Sequence, residues 1–127
     1  MPYDVKYNSN LRIIELVLTG ILSGEDLGQC TDEAIALQMQ HGVYAVLIDA
    51  TDLESVASIT DVYGLPRHYD NSGASRSTRI ALVSPRLPAA EKVTQFYDNV
   101  CNNRGWRVQP FDTRDDAVEW LTHNESS

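Results

Sequence analysis

The residues best suited to chemistry lie in one segment, VLIDATDLESVAS at positions 46–58. An apolar run passes there into carboxylates and hydroxyls, and the candidates are Asp49, Thr51, Asp52, Ser55 and Ser58. Carboxylates can act as acids or accept a phosphoryl group, and a hydroxyl at a helix start can carry phosphate because free backbone amides favour an anion. The segment therefore indicates a catalytic acid site, a phosphorylation switch, or only a capped helix start.

The catalytic interpretations lack the partner groups that each would need. A phosphoryl-accepting Asp49 would require an acidic pair for magnesium and a lysine at neighbouring strand ends, where the sequence offers Thr19-Gly20 and Pro110-Phe111. The sequence has no Gly-x-Ser-x-Gly elbow, and its cysteines and histidines lack metal-ligand spacing. We expect no catalytic residue, metal or cofactor, and an enzyme ranks third among the functions considered.

The hydrophobic pattern places this segment in an alternating series of strands and helices. Ser23 can cap a helix that ends at His41-Gly42, and Asp52 or Ser55 can cap a shorter one that carries Ser58. The predicted strands are Tyr3 to Tyr7, Leu11 to Leu18, Val43 to Ile48, Arg79 to Val83 and Trp106 to Pro110. The predicted helices are the one from Ser23, a short one with Val56, Ile59 and Val62 or Tyr63 facing inward, one from Pro88 to near Asn103, and one opened by Thr113. Residues 67–77 are predicted as one long polar loop.

This order predicts an α/β fold for residues 1–127 as a single domain. We expect one five-stranded mixed sheet, mainly parallel, with an N-terminal antiparallel hairpin and about four helices. Sites in such sheets lie beyond the carboxyl ends of the parallel strands. Besides the segment at 46–58, that edge includes Ser84 and Arg86, so we predict an interaction or ligand site there.

Charge limits the partners that the chain can bind. The net charge is −8 and the pI is near 4.6, which argues against nucleic acid because nonspecific binding needs clustered Lys and Arg. Residues 76–107 nevertheless carry a net charge of +4. That stretch could face an acidic partner or a second copy of the chain.

Composition also predicts where the protein resides. The longest uninterrupted apolar run, Val43 to Ile48, is far shorter than the roughly 20 residues that span a bilayer, so we expect no membrane span. The N-terminus lacks the basic start and apolar core of a signal peptide. We expect Cys30 and Cys101 to be small buried side chains that stay reduced, as in a reducing compartment. We expect a cytoplasmic protein.

Short motifs spread over nearly the whole chain carry a family resemblance. They are ILSGED at 21–26, VLIDATDL at 46–53, DVYGLP at 61–66, RIALVS at 79–84, NRGW at 103–106 and AVEWL at 117–121. Together they resemble the SpoIIAA-like proteins, bacterial stand-alone domains with the STAS fold that are akin in architecture to the CRAL-TRIO lipid carriers. The resemblance implies a noncatalytic regulatory or protein-interaction module whose partner is another protein or, as a homodimer, itself.

The antagonists of this fold carry a phosphorylation motif that this chain retains only in part. In them, a strand ending in Asp-x-Ser leads to Asp-Ser-Ser-Gly at a helix N-terminus, where the partner kinase phosphorylates one serine. Placing Asp49-Ala-Thr51 on the first element puts Ala57-Ser58-Ile59-Thr60 on the second, so Ser58 matches the phosphorylated position. The acid and the glycine of the motif are replaced, which implies a degraded phospho-switch.

The kinship with lipid carriers implies a second function, the carriage or sensing of a small apolar ligand. Tyr63, Leu65 and Tyr69 flank the predicted loop and could cover an apolar slot between the second helix and the sheet. Ligand sites are typically concave and mostly apolar. At helical spacing the same residues could also be ordinary core.

Overall fold

The computed structural model describes residues 2–123, which form five strands and five helices. The strands are β1 (Tyr3–Asn8), β2 (Ile13–Leu22), β3 (Ala45–Val56), β4 (Arg79–Val83) and β5 (Arg107–Phe111). The helices are α1 (Gly24–His41), α2 (Ile59–Tyr63), α3 (Leu65–Asn71), α4 (Pro88–Asn103) and α5 (Arg114–His123). The sheet order is β1-β2-β3-β4-β5, with β1 antiparallel to β2 and the other pairs parallel. The predicted α/β class and mixed sheet are confirmed.

The helices divide unequally between the two faces of the sheet. Neighbouring parallel strands follow one another in chain order, and such crossovers are right-handed, so α1 to α4 share one face and contact each other. The last helix, α5, packs against β3, β4 and β5. The core therefore has two layers, and the layer under α1 to α4 is the thicker one.

The first helix forms as its terminal residues predict. Ser23 accepts a hydrogen bond from the Asp26 backbone amide at 3.0 Å, and its own amide donates to the Asp26 carboxylate at 3.0 Å. This capping box satisfies two amides at the helix start. Gly42 ends the helix with φ of 64°, a left-handed conformation that glycine adopts without strain. Both predicted ends of α1 are confirmed.

The strand that carries the candidate segment is longer than predicted. It continues to Val56 because β2 also continues past Leu18, and the two strands stay paired through two register shifts. The prediction that Asp52 or Ser55 caps a helix is therefore wrong, as is the placement of Val56 in that helix, because all three are strand residues. Since β4 ends at Val83, residues 19–22 and 52–56 form a two-stranded arm beyond it.

The predicted long loop is partly helical. The sequence Gly64-Leu65-Pro66 breaks the helical pattern only briefly, because Pro66 sits in the first turn of α3, where a missing amide costs nothing. Leu65, Pro66 and Tyr69 are buried, so packing against the core holds this short helix in place. The described part of the chain thus has five helices rather than about four.

Candidate functional site

Asp49 and Thr51 bind each other at the carboxyl end of the sheet. The Asp49 Oδ1 atom accepts hydrogen bonds from the Thr51 amide at 3.0 Å and from the Thr51 hydroxyl at 2.6 Å. Both residues are half-buried. Their contact fixes the β3 backbone at the point where it parts from β4 and the arm begins.

Asp52 and Arg86 form an ion pair across the same edge. Their side chains are 54% and 73% exposed, so water screens the pair and its contribution to stability is small. The Arg86 amide donates to the Thr51 carbonyl at 3.2 Å, and the Ser84 amide donates to the Phe111 carbonyl at 2.9 Å. The loop after β4 is thus tied to β3 and β5 by its backbone, while the Arg86 side chain stays available to exchange partners.

Ser58 occupies the N-cap position of α2, not an interior position on a helix. Its backbone is extended, with φ of −145° and ψ of 119°, and its side chain makes no capping hydrogen bond within residues 2–123. The preceding residue, Ala57, donates its amide to the Leu22 carbonyl at 2.7 Å. Ser58 itself is half-buried. The hydrogen bond of Ala57 holds the backbone just before it, and its own hydroxyl makes no bond to the helix.

The starts of α1 and α2 lie side by side. A Cβ atom on Gly24 would collide with the Asp61 carboxylate, so glycine permits this close approach. The positive end of the α1 dipole favours the Asp61 charge. A phosphate on Ser58 would gain from helix amides but would lie one turn from Asp61, so the local charge balance for a phosphate is mixed.

Next to Ser58, α2 presents two large apolar side chains, Ile59 and Tyr63, to solvent. The prediction that Ile59 faces inward is therefore wrong, and of the alternatives Val62 and Tyr63 it is Val62 that is buried. Ile59 is 48% exposed and Tyr63 is 55% exposed, and their spacing of four residues puts them on one side of the helix. The Tyr63 ring lies against Phe96 with centroids 6.4 Å apart, and the Arg104 guanidinium carbon lies 6.0 Å from its centre. We call Ser58, Ile59 and Tyr63 the α2 surface.

An apolar cavity of about 70 Å³ lies beneath α2 and α3. Leu65 and Tyr69 line it, whereas Tyr63 lies outside, on the α2 surface. The other lining residues come from the sheet, the arm, α1, α2 and α4: Leu16, Leu18, Leu22, Leu27, Cys30, Thr31, Ile48, Leu53, Val56, Val62, Val93, Thr94 and Tyr97. The extended part of β3 thus closes one end of the cavity.

Two of the tyrosines that line this cavity bind each other through their hydroxyls. The hydroxyls of Tyr69 and Tyr97 are 2.6 Å apart, and both residues are buried. Burial raises the pKa of both tyrosines well above 10, so both stay protonated. The Trp106 ring meets Tyr69 edge-on with centroids 5.3 Å apart, which restricts the pair further. Within α4, Tyr97 is buried and the neighbouring Phe96 is half-buried.

The structure buries two carboxylates, Glu15 and Asp98, that were not among the predicted site residues. Glu15 is 5% exposed; burial acts to raise its pKa, but hydrogen bonds from Asn8 at 2.8 Å and Arg114 at 2.9 Å outweigh burial and lower it. Asp98 is 8% exposed, and its Oδ1 has no hydrogen-bond partner within residues 2–123. Burial raises the pKa of Asp98 to about 6. The apolar residues on both sides of Glu15 in β2 are a sequence signal for its burial, whereas Asp98 lies within an otherwise ordinary helical pattern.

The positive stretch at 76–107 is largely engaged within the fold. Arg76 donates to both carboxylate oxygens of Asp70 at 2.9 and 3.0 Å and lies over the Trp106 ring. Arg79 donates to the carbonyls of Trp120 at 3.2 Å and Leu121 at 2.8 Å, at the end of α5. Arg86 pairs with Asp52 at the exposed edge and Arg104 lies over the Tyr63 ring, so four of the six cations have partners among the described residues and do not form a continuous free surface.

The remaining reactive residues stay apart. Cys30 and Cys101 are free and buried, and burial raises their pKa to about 11 and about 12. Among the side chains that the structure describes, no three of His, Cys, Asp and Glu gather to hold a metal ion. None of the described helices is long and apolar enough to cross a bilayer.

Several solved structures share this arrangement of sheet and helices. An uncharacterised protein with a SpoIIAA-like fold from Shewanella loihica PV-4 aligns with a TM-score of 0.61 at 19% identity, covering 94% of this chain and 91% of the other. An anti-sigma factor antagonist from Mycobacterium paratuberculosis aligns at 0.62 and 17% identity, covering 94% and 92%. The phosphorylated Bacillus cell fate determinant SpoIIAA aligns at 0.55 and 19% identity, covering 94% and 98%.

These likenesses define the class of fold, that of the anti-sigma factor antagonists. A search of curated proteins gave no match. The family model described as SpoIIAA-like matches residues 13–122, which is most of the chain. This chain therefore belongs to the SpoIIAA-like family, and the resemblance seen in its motifs is confirmed.

Proposed function

We propose that this chain is a noncatalytic regulatory module that binds a protein partner in the cytoplasm through the α2 surface. The observation that carries the proposal is the pair of exposed side chains, Ile59 and Tyr63, beside a serine hydroxyl that caps nothing. Exposed clusters of large apolar and aromatic side chains mark sites of protein interaction. The fold class supports the proposal, because two of the structural neighbours are an anti-sigma factor antagonist and SpoIIAA.

Phosphorylation of Ser58 is the proposed switch. A phosphate would bring a charge of about −1.5 to −2 next to two apolar contact residues and one turn from Asp61. A partner that packs on Ile59 and Tyr63 would then have to bury that charge, so the phosphorylated form releases it. The phosphorylated neighbour SpoIIAA supports this analogy, and the replaced acid and glycine of the motif make it a reduced version.

The sheet edge forms the proposed rim of the contact. Asp49, Thr51 and Ser55 shape the arm, while Ser84 and Arg86 follow β4 on the same side. Because the Asp52 and Arg86 side chains are exposed, Arg86 can leave Asp52 for an acid of the partner at little cost. Rim charges of this kind tune association rate and specificity more than affinity.

Site-specific crosslinking tests the proposed surface. A photo-crosslinking phenylalanine analogue is placed at Tyr63 or at Tyr44, an equally exposed tyrosine at 52%, and the protein is irradiated in host cells. We expect one discrete adduct from Tyr63, absent from Tyr44, reduced by Ser58→Asp and retained with Ser58→Ala. Equal adducts at both positions, or an adduct indifferent to Ser58→Asp, would count against the surface or the switch respectively.

The apolar cavity supports a second candidate, a carrier or sensor of a small apolar ligand. Its volume of about 70 Å³ is well below the roughly 150 Å³ of an engineered cavity that holds benzene, so a ligand requires α2 and α3 to move outward. Native mass spectrometry of freshly purified protein tests this function. A co-purifying molecule that is lost in Val62→Phe, which fills the space, supports carriage; bare protein at every preparation contradicts it.

A further inference from the structure

The outer edge of β5 is closed to further strands. The Phe111 carbonyl accepts from the Ser84 amide on the β4 side, so by strand alternation the backbone groups of Val108 and Pro110 face outward. Asn102 donates to the Val108 carbonyl at 3.0 Å and accepts the Val108 amide at 3.1 Å. Pro110 has no amide to offer. An α4 side chain and a proline thus block this edge, which is a common protection against edge-to-edge pairing.

The opposite edge, β1, has open backbone groups. The Thr19 amide donates to the Pro2 carbonyl at 2.8 Å, and the register makes these two residues opposite neighbours. Hydrogen-bonded pairs alternate in an antiparallel ladder, so every second residue of β1 turns its amide and carbonyl away from β2. Those residues are Tyr3, Val5 and Tyr7. Within residues 2–123 no further strand lies beyond β1.

We propose that β1 pairs antiparallel with β1 of a second copy, centred on Val5, to give a continuous sheet across a dimer. Each Val5 then faces the other Val5, and each Tyr3 faces Tyr7 of the second copy. The three pairs exchange about six backbone hydrogen bonds, because each pair of this type exchanges two. This interface rests on the β1 edge alone and does not depend on the α2 surface.

Charge selects this register over its neighbours. Asp4 and Lys6 are exposed residues that alternate with the outward-facing ones. Centred on Val5, each Asp4 lies opposite Lys6 of the second copy, so the dimer gains two cross-strand pairs of opposite charge. Two adjacent registers would keep the same backbone pairing. One places Asp4 opposite Asp4 of the second copy, and the other places Lys6 opposite Lys6, so each brings like charges together. Lysine on an edge strand usually discourages pairing. Lys6 lies opposite Glu15 within its own chain, and the second copy adds Asp4 as a further counter-charge.

The neighbouring helix leaves room for the second copy. Since α1 packs over both β1 and β2, its axis lies between them, on the inner side of the β1 edge. Strands in a sheet are about 4.8 Å apart, so the two α1 helices would lie about 10 Å apart, a normal helix packing distance. The acids of a chain with net charge −8 oppose association, so we expect a weak dimer.

Sedimentation equilibrium over about 1–500 µM tests the dimer. We expect reversible dimerisation of the wild type and at least tenfold weaker dimerisation of Val5→Pro, which removes an outward amide but keeps the β1–β2 bonds. Circular dichroism checks that this variant folds. A wild type that stays monomeric over this range, or a folded Val5→Pro that dimerises unchanged, overturns the proposal.

Charge exchange tests the register without relying on one variant. Asp4→Lys and Lys6→Asp each place like charges opposite each other, and each should weaken self-association about tenfold. An equimolar mixture of the two should form a heterodimer, and the double variant should dimerise like the wild type. Glu119→Lys, an exposed change on α5 that shifts the charge in the same direction and by the same amount as Asp4→Lys, is the net-charge control for that variant. Failure of both the mixture and the double variant to dimerise overturns the register.

Discussion

Replacing Asp98 with asparagine should stabilise the fold at neutral pH. The residue is 8% exposed, and its Oδ1 atom has no partner among residues 2–123, so the charged form loses hydration without compensation. Burial accordingly raises its pKa from 3.8 to about 6. A carboxyl group with a raised pKa in the folded state binds its proton more tightly there than in the unfolded chain.

The sign and size of the effect follow from that difference. The protonated group contributes stability below the unfolded pKa of 3.8, and this contribution is lost as pH rises through about 6. The full difference corresponds to about 3 kcal/mol above pH 6. Asparagine removes the charge, but its buried amide also needs hydrogen-bond partners. We therefore expect a net rise in the free energy of unfolding of about 1–2 kcal/mol at pH 8.

Urea denaturation of wild type and Asp98→Asn at pH 4 and pH 8 measures this gain. The difference in unfolding free energy should be large at pH 8 and close to zero at pH 4. Glu119→Gln, an exposed change on α5, removes the same charge without burial and should change little at either pH. A variant that is destabilised at pH 8, or that differs from wild type equally at both pH values, would refute the reasoning about burial.

Three further changes probe the core and the edges. Leu53→Ala should lower the free energy of unfolding, measured by urea denaturation, by about 3–5 kcal/mol. It also enlarges the cavity beyond about 70 Å³, so benzene should bind and raise the Tm of this variant but not that of the wild type. Arg114→Gln should cost about 1 kcal/mol at pH 7. Because the pKa of Glu15 is lowered from its ordinary 4.5, this cost should disappear as pH falls below 4.5 and through that lowered pKa; a pH-independent cost would contradict the pairing. Asn102→Ala should leave both backbone groups of Val108 without their side-chain partner and lower the free energy of unfolding by about 1–3 kcal/mol. Light scattering should then show concentration-dependent association. Unchanged stability would show that Asn102 does not protect this edge.

Much of the fold can be predicted from local sequence signals. Ser23 and Gly42 mark the ends of α1, and the strand from Arg79 to Val83 has the predicted bounds. The helix from Pro88 also begins where its first-turn proline indicates. These elements are set by caps, proline positions and apolar runs, which act within a few residues along the chain.

The misassigned elements depend on partners that are distant in sequence. Residues 50–56 form a strand because residues 19–22 extend beside them, and no local pattern shows that extension or its register shifts. The short helix α3 is held by burial of Leu65 and Tyr69 in the core, so a polar segment that reads as loop becomes helical. Context of this kind overrides local propensity.

The candidate site could be predicted only in part from the sequence, for the same reason. Ser58 stood out through its place in a family motif, but its position at the N-cap follows from where β3 ends. The exposure of Ile59 and Tyr63 depends on how the turn into α3 orients α2. The contact between Tyr69 and Tyr97 joins residues 28 positions apart, so only the fold brings their hydroxyls together.

The most direct test of the central claim is the Kd of the crosslinked partner, once purified, for a matched pair of variants. Ile59→Asp places a charge in the α2 surface, whereas Met39→Asp makes the same change at a residue that is 61% exposed on α1. We predict at least a 30-fold rise in Kd for Ile59→Asp, because contact residues at the centre of an interface contribute about 2 kcal/mol or more, and little change for Met39→Asp. Equal Kd values for wild type and Ile59→Asp would show that the partner binds elsewhere.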